Sequence, residues 1–292
     1  MNDPIPAWAS ELKQRYLKGE ASSFIVHGNV HDLILCDGQQ LQVSEFLTRV
    51  LLAPSKDVIA VYNLSSGVRF TQRKTSVLGI DQLITERSVD KVLPALEQML
   101  LTVDRTAVVI EFAEMIAPVG DANFFSESDR QSVITLQRWS MSPEIAQADS
   151  LVILMTENLA ELNPKLVANP RIVTLQIPMP DNVQRANLIR VVNPQLDAAW
   201  VTRLSEVTAG LRQIQIKAIL QPPADAAQDS AARHAYIARL LEGSPDAEDR
   251  AKKLAGLTQG MGLAEIRQLV NPTAPDTVRS SEEASDEVLN LI

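Results

Sequence analysis

The sequence predicts an α/β protein: a parallel sheet domain followed by an all-helical domain. Short apolar runs alternate with amphipathic segments over the first 180 residues, and the apolar runs stop after Pro180. Runs with no polar alternation are typical of strands buried on both faces. A strand–helix–strand order implies parallel pairing through right-handed crossovers. We therefore expect a doubly wound five-stranded sheet and, after it, helices only.

Composition limits the class of protein. Of 292 residues, 46% are hydrophobic and 4% aromatic, which predicts a soluble protein with an aliphatic core and one or two domains. The net charge of −9 argues against duplex nucleic acid as a ligand, because clustered Lys and Arg carry phosphate binding. A single cysteine fits a reducing compartment, and no apolar stretch reaches the ~20 residues that span a bilayer. We expect a cytoplasmic protein with no membrane partner.

The elements follow from local patterns in chain order. Residues 1–21 predict a helix that packs on the sheet through a stripe of Trp8, Leu12, Tyr16 and Leu17. The five predicted strands are 24–27, 58–64, 107–112, 151–156 and 172–177. The predicted helices are 43–52, 90–101 with Asp90 as N-cap, 128–141 capped by Ser128, and the capped helix 181–192.

The domain boundaries follow from the same patterns. The sheet domain is expected over residues 22–180 and the helical domain over 181–270. Residues 271–292 are a linker, rich in Pro, Thr, Ser and Glu, and the start of a further helix. Because that amphipathic pattern has only begun when it stops at Ile292, we expect the chain to be one part of a longer polypeptide.

Two segments carry a family resemblance. In residues 151–180 an apolar strand is followed by a polar residue, Asn158, and then by a short helix with the pattern Leu-x-Pro-x-Leu (Leu162, Pro164, Leu166). Arg171 precedes the last predicted strand, and a Pro-x-Pro segment (Pro178, Pro180) follows it. Residues 254–270 have the form T-x-G-[ML]-x-x-x-E-I. The chain thus resembles the AAA+ ATPase module, in particular the degenerate N-terminal halves of bacterial tandem AAA ATPases. The resemblance implies a P-loop-NTPase-like sheet and makes the helical domain the AAA+ lid.

The motifs that carry ATP chemistry depart from the family. A P-loop needs glycines, a lysine and a Ser or Thr around the phosphates and Mg²⁺. The first predicted strand leads instead into residues 28–33 (GNVHDL), where Asp32 places negative charge and no lysine follows. At the Walker-B position the chain has Glu111, which could hold a metal, and Phe112, which cannot act as a base. We therefore expect a pseudo-ATPase.

The resemblance implies roles for individual residues. Arg171 is expected to act as an arginine finger in trans on a neighbour's γ-phosphate. Asn158 is sensor-1-like or simply a helix cap, and Glu111 is a degenerate Walker-B acid, or half of an acid–base pair with Glu114. The resemblance also implies a weak nucleotide site at Gly28, Asn29 and Arg267. The alternative for Arg267 is a solvated arginine on an amphipathic helix.

A small cluster of residues around the end of the first predicted strand has the composition of a metal site, but we do not expect it to bind a metal. His27, His31, Asp32 and Cys36 have metal-compatible side chains. However, Gly28 and Asn29 predict a turn that would splay these ligands apart.

The function expected is that of a hydrolysis-deficient AAA+ module, an assembly or regulatory element of a ring-forming ATPase. Its partners would be other AAA+ subunits or domains, with no tightly bound cofactor and with ATP and Mg²⁺ held through a partner module. One alternative is an ATP-dependent remodelling enzyme that uses an atypical nucleotide loop or a catalytic module beyond residue 292. Another is a clamp-loader-like non-catalytic subunit. The protein substrate stays open.

Overall fold

The computed structural model describes residues 5–75, 84, 86–121, 123–194 and 196–220. The rest of the predicted lid beyond residue 220, the predicted linker and further helix, and Arg267 therefore lie outside the described residues. The chain divides into two compact units, the first ending at Pro178 and the second beginning at Met179. Each is considered by itself.

The first unit is a sheet with helices on both faces. Its strands are β1 Ser23–Gly28, β2 Leu33–Cys36, β3 Gln39–Gln42, β4 Val58–Asn63, β5 Gly67–Arg73, β6 Thr106–Ile110, β7 Leu151–Thr156 and β8 Ile172–Ile177. Its helices are α1 Ala7–Leu17, α2 Val43–Phe46 (continuing as a π-helix over Leu47–Leu52), α3 Val89–Thr102, α4 Glu127–Met141, α5 Pro143–Gln147 and α6 Pro164–Val167. Short 3₁₀ helices cover Ala113–Met115 and Leu159–Glu161.

The main sheet has the strand order β5-β4-β6-β7-β1-β8. All neighbouring strands are parallel except β4 and β5. The predicted α/β class and the parallel pairing are confirmed. Because the carboxyl ends of parallel strands meet at one edge, the segments that follow β1, β6 and β7 lie together there, where open α/β sheets place their ligands.

The prediction of five strands was wrong, because the main sheet has six. The missed strand, β5, is an antiparallel edge strand whose side chains are largely exposed after Val68, so it carries no continuous apolar run. A separate hairpin, β2 with β3, was also missed. Its turn residues Asp37 and Gly38 have φ of 49° and 73°. Asp-Gly is a strong hairpin signal, and it was available in the sequence.

Two predicted helix caps were wrong. Ser88, and not Asp90, precedes α3, so Asp90 lies in its first turn. The cap of α4 is Ser126, which forms a capping box with Asp129, and Ser128 lies inside the helix. Carboxylates in a first turn are favourable near the helix N-terminus, which is why acidic residues next to a boundary mislead cap assignment by a residue or two.

The N-terminal helix packs on the sheet as expected, with one error. Trp8 and Leu12 of α1 are buried, and Trp8 meets Phe46 edge-on at 5.9 Å between ring centroids. Leu17, however, is 72% exposed and lies outside the stripe. The face toward α1 and α2 and the face toward α3 and α4 each carry an aliphatic core.

The second unit is helical where it is described: α7 Asn182–Val192, α8 Ala198–Val207 and α9 Gln213–Leu220. Asp181 caps α7 in a capping box with Gln184, which confirms the predicted capped helix. The three helices share a core of their own that includes Leu188, Leu204 and Ile216. No helix in the described part of either unit is long and apolar enough to cross a membrane.

Candidate functional site

A cavity of about 370 Å³ lies at the carboxyl-end edge of the sheet. Its wall combines side chains from several segments: the loop after β1, the start of α2, β5, and the segments that follow β6 and β7. The residues that matter for its chemistry are His31, Ser44, Arg69, Glu111, Phe112, Glu114, Thr156 and Glu157. This is the edge at which the sequence places the expected nucleotide site.

The backbone of the loop after β1 is committed to the protein itself. The N–H groups of Gly28 and Asn29 donate to the carbonyls of Glu157 and Ile177, both at 3.1 Å. Further along, the N–H of Val30 donates to Gly28 O at 2.8 Å. A phosphate-binding loop instead leaves successive N–H groups free to point at the anion. The loop is therefore a closed turn with its donors occupied.

Asp32 closes this loop with a buried carboxylate. It is 2% exposed, and its Oδ2 accepts from the Asn29 side-chain amide at 2.7 Å. Its Oδ1 accepts from the N–H of Leu33 at 2.8 Å. The hairpin of β2 and β3 then separates the loop from α2, whereas a P-loop leads directly into its helix. The loop thus carries negative charge where a P-loop carries a lysine.

Glu111 follows β6 and is surrounded by protein donors. Its Oε1 accepts from Ser44 Oγ at 2.5 Å and from the Arg69 guanidinium at 2.6 Å, and its Oε2 accepts from Asn63 Nδ2 at 2.7 Å. Only 15% of the Glu111 side chain is exposed. A carboxylate with three donors, one of them cationic, has little capacity left for a metal ion. Sequence reasoning missed Arg69 because it missed β5.

Phe112 lies next to Glu111 in a strained backbone conformation. Its φ of 55° and ψ of 49° place it in the left-handed region, which is uncommon for a bulky residue. Its ring stacks on the His31 imidazole with centroids 5.4 Å apart and planes 27° apart. Phe112, which the family resemblance places at the Walker-B base position, thus contacts the loop after β1 through an aromatic pair.

Glu114 brings a buried carboxylate to the cavity. It is 8% exposed, and its Oε2 has no hydrogen-bond partner among the described residues. Glu157, after β7, adds another carboxylate to the wall. With Glu111, the wall holds three carboxylates against the one guanidinium of Arg69. By formal charge the lining residues are therefore net negative, the opposite of what a polyphosphate requires.

Asn158 and Arg171 lie in different surroundings. Asn158 caps the 3₁₀ helix Leu159–Glu161: its Oδ1 accepts from the N–H of Ala160 at 3.1 Å, and its Nδ2 donates to Glu161 at 3.2 Å. Arg171 is exposed at the start of β8, at the opposite edge of the sheet from the cavity. Its guanidinium makes no hydrogen bond or ion pair with the part of the chain that the structure describes. The geometry does not bring these two residues together.

Gly28 and Asn29 do lie together at the end of β1. Gly28 has a φ of 93°, and a Cβ placed there would be 2.8 Å from the carbonyl oxygen of Ile177. Asn29 is 6% exposed.

In the described ranges no group of three His, Cys, Asp or Glu side chains is placed to hold a metal ion.

Comparison with known proteins gives a family match. The family described as "AAA+ chaperone, N-terminal Rossmann-like domain" matches residues 2–178. No curated protein matches the chain. Among solved structures, a similar chain comes from the E. coli MS115-1 HORMA:CdnC:Trip13 complex: it is 16% identical, with a TM-score of 0.46 over 92% of this chain and 82% of that one.

Proposed function

The chain belongs to the AAA+ chaperone N-terminal Rossmann-like domain family, and from this premise we propose that it is a hydrolysis-deficient AAA+ module. Its role is that of an assembly or regulatory element beside catalytic AAA+ modules. Such a role needs surfaces that pack against neighbouring modules, and it needs no phosphate-binding loop in this chain. ATP and Mg²⁺ enter the assembly through the partner modules.

The closed loop after β1 is the observation that carries this proposal. Its N–H groups at residues 28–30 donate to protein carbonyls, and its carboxylate, Asp32, is buried. Opening this loop for a phosphate would break these hydrogen bonds and bring a polyanion beside Asp32 and the carboxylates of the cavity. Both costs oppose nucleotide binding.

The surroundings of Glu111 oppose a role as the catalytic carboxylate of an ATPase. Polarising an attacking water requires a carboxylate with a lone pair free to accept the proton of that water. Glu111 already accepts from Ser44, Asn63 and Arg69, and the next residue is Phe112. These contacts support a module without hydrolytic activity of its own.

Nucleotide titration of the purified chain tests the proposal. We expect no saturable binding of Mg·ATP or Mg·ADP up to about 1 mM, which corresponds to less than about 4 kcal/mol of binding free energy. Isothermal calorimetry and a fluorescent ATP analogue are the measurements. Saturable binding that weakens in Arg69→Ala, but not in the control Arg190→Ala on the second unit, would favour the alternative of an ATP-binding enzyme with an atypical loop.

Arg171 supplies the test of assembly. It is exposed and unpaired within the described residues, so it is free to reach the phosphate of a neighbouring module, where a guanidinium is worth several powers of ten in rate. In a complex purified through a tag on this chain, we expect Arg171→Ala to lower ATPase activity at least tenfold. The control Arg190→Ala should leave the rate unchanged. Equal rates in both variants, or a complex with no ATPase, would contradict the role in trans.

A further inference from the structure

The carboxylates of the 370 Å³ cavity outnumber its one cation, and that cation is already paired. Arg69 contacts Glu111 at 2.6 Å, so its charge is matched inside the wall. Of the remaining lining carboxylates, Glu114 carries an oxygen with no donor among the described residues. The unsatisfied Oε2 of Glu114, on a side chain more than nine-tenths buried, is the strongest single feature, because a buried carboxylate oxygen without a donor is costly.

We propose that this cavity binds an organic cation through a guanidinium group, held by the Glu114 carboxylate. This inference rests on the proposed function in one respect: it requires that no nucleotide occupies the cavity. A guanidinium presents N–H donors in a plane and would satisfy Glu114 Oε2 with a charge-assisted hydrogen bond. It is also weakly hydrated, so burial in a cavity of this size costs it less than it costs an ammonium.

The aromatic pair at the cavity favours guanidinium over a compact ion. Phe112 and His31 stack beside the carboxylates, and 46% of Phe112 is exposed. A planar cation can stack on such a ring while its edge donates to a carboxylate. The hydroxyl groups of Ser44 and Thr156 add acceptors to the wall. A divalent metal would instead need three ligands converging on one point, and the described side chains provide no such group.

Titration with methylguanidinium chloride tests the proposal on the whole chain. We expect saturable shifts of the backbone amide NMR signals of residues 31 and 112–114, with a Kd on the order of 1 mM for so small a ligand. Butylammonium chloride should bind at least fivefold more weakly, and NaCl at the same ionic strength should give no saturable shift. Equal binding of butylammonium, or Mg²⁺ binding at the same residues, would overturn the assignment.

Variants locate the contact. Glu114→Gln keeps the side-chain shape and should weaken methylguanidinium binding about tenfold, the usual effect of losing a charge-assisted hydrogen bond. The control Glu206→Gln, an exposed site in the second unit, should bind like the parent chain. Phe112→Leu should weaken binding about threefold through loss of the ring. Unchanged affinity in both Glu114→Gln and Phe112→Leu would refute the site, and if one variant fails to fold the other decides.

A second probe, N-acetyl-arginine amide, distinguishes the two possible sources of the guanidinium group. If N-acetyl-arginine amide binds at the same residues, the guest is an arginine side chain presented by a protein; if methylguanidinium binds and the amide does not, it is a free small guanidine. Mg·ATP titrated into the same sample separates the two proposals. Saturable ATP binding would refute the proposed function. If neither ATP nor methylguanidinium binds, only the guanidinium site is refuted.

Discussion

Adjacent residues after β6 illustrate how the local environment decides chemistry. Glu111 has a carboxylate that accepts from three donors, so it acts as a hydrogen-bond centre joining α2, β4 and β5. Phe112 takes a left-handed backbone conformation that costs a bulky residue about 1–3 kcal/mol. Such strain persists only where the surrounding structure over-determines the position, here through the stack on His31.

Gly28 offers a matched test of backbone constraint. Gly28→Ala places a Cβ 2.8 Å from the Ile177 carbonyl oxygen, at a φ of 93° that L residues rarely adopt. We expect the free energy of unfolding to fall by about 3 kcal/mol or more. Gly38→Ala has a similar φ of 73° but open space around the new methyl, so its cost should be about 1 kcal/mol. Urea unfolding measures both, and equal losses would contradict the close approach at Gly28.

Tyr62 predicts a dependence of stability on alkaline pH. Burial raises its pKa to about 12 from the ordinary value of 10, and Glu86 and Asp90 add to the effect; its hydroxyl donates to Arg87 O at 2.9 Å. Between pH 10 and 12 the unfolded chain loses this proton while the folded chain keeps it, so stability is full below pH 10 and falls as pH rises to 12. In Tyr62→Phe this fall should be shallower in urea unfolding at pH 9–12. An identical slope in both proteins would disprove the assignment.

At the scale of elements, α1 is anchored by a buried lysine. Lys56 is fully buried and donates to the Tyr16 hydroxyl and to the carbonyl oxygen of Asp149, while its Nζ lies 3.2 Å from Asp149 Oδ1. Tyr16 donates in turn to the Asp149 carboxylate. Burial lowers the pKa of Lys56 and raises that of Tyr16. This three-residue cluster joins α1 to the turn that precedes β7.

Removing either charge of this cluster should have unequal effects. Asp149→Asn keeps a residue that tolerates the φ of 49° but leaves the buried Lys56 without a counter-charge. We expect a loss of about 2 kcal/mol in unfolding free energy, less than for a fully buried pair because Asp149 is half exposed. Lys56→Met removes the buried charge and keeps the volume, so its cost should stay below about 1 kcal/mol. Thermal and urea unfolding measure the loss in both variants. A larger loss in Lys56→Met than in Asp149→Asn would contradict the prediction.

At the scale of the whole molecule, the buried cores fall into separate stretches of sequence. Both cores of the sheet unit consist of residues up to Ile177, and the core of the helical unit begins at Ala186. A unit that contains its own core has what it needs to fold.

A chain ending at Pro178 should therefore fold cooperatively without the helical unit. We expect a single urea transition, native far-UV circular dichroism and dispersed amide signals in NMR. The full chain serves as the reference for the position of the transition. A truncated chain that binds hydrophobic dyes and lacks a cooperative transition would show that the sheet unit depends on residues after Pro178.

Local patterns in the chain were sufficient for the central strands and most helices. A strand buried on both faces must be apolar throughout, so β1, β4, β6 and β7 are visible in the sequence. The edge strand β8 is visible as well, because four of its six residues are apolar and buried. The edge strand β5 is half exposed and the hairpin strand β3 is mostly polar, so neither has an apolar run. That residues 28–33 contain no lysine and that Phe112 follows Glu111 were also evident, because such short motifs are contiguous in sequence.

The environment of the site depended on tertiary structure. Glu111 meets Ser44 from 67 residues away and Arg69 from 42, and no local pattern can state which distant side chains converge. The sequence determined that a carboxylate and an aromatic ring follow β6. Only the fold showed that three donors surround the carboxylate and that the ring stacks on His31. Only the fold showed, too, that Glu114 Oε2 is buried with no hydrogen-bond partner among the described residues. The physical reason is that hydrogen bonding and burial are properties of positions in space, whereas motifs are properties of the chain.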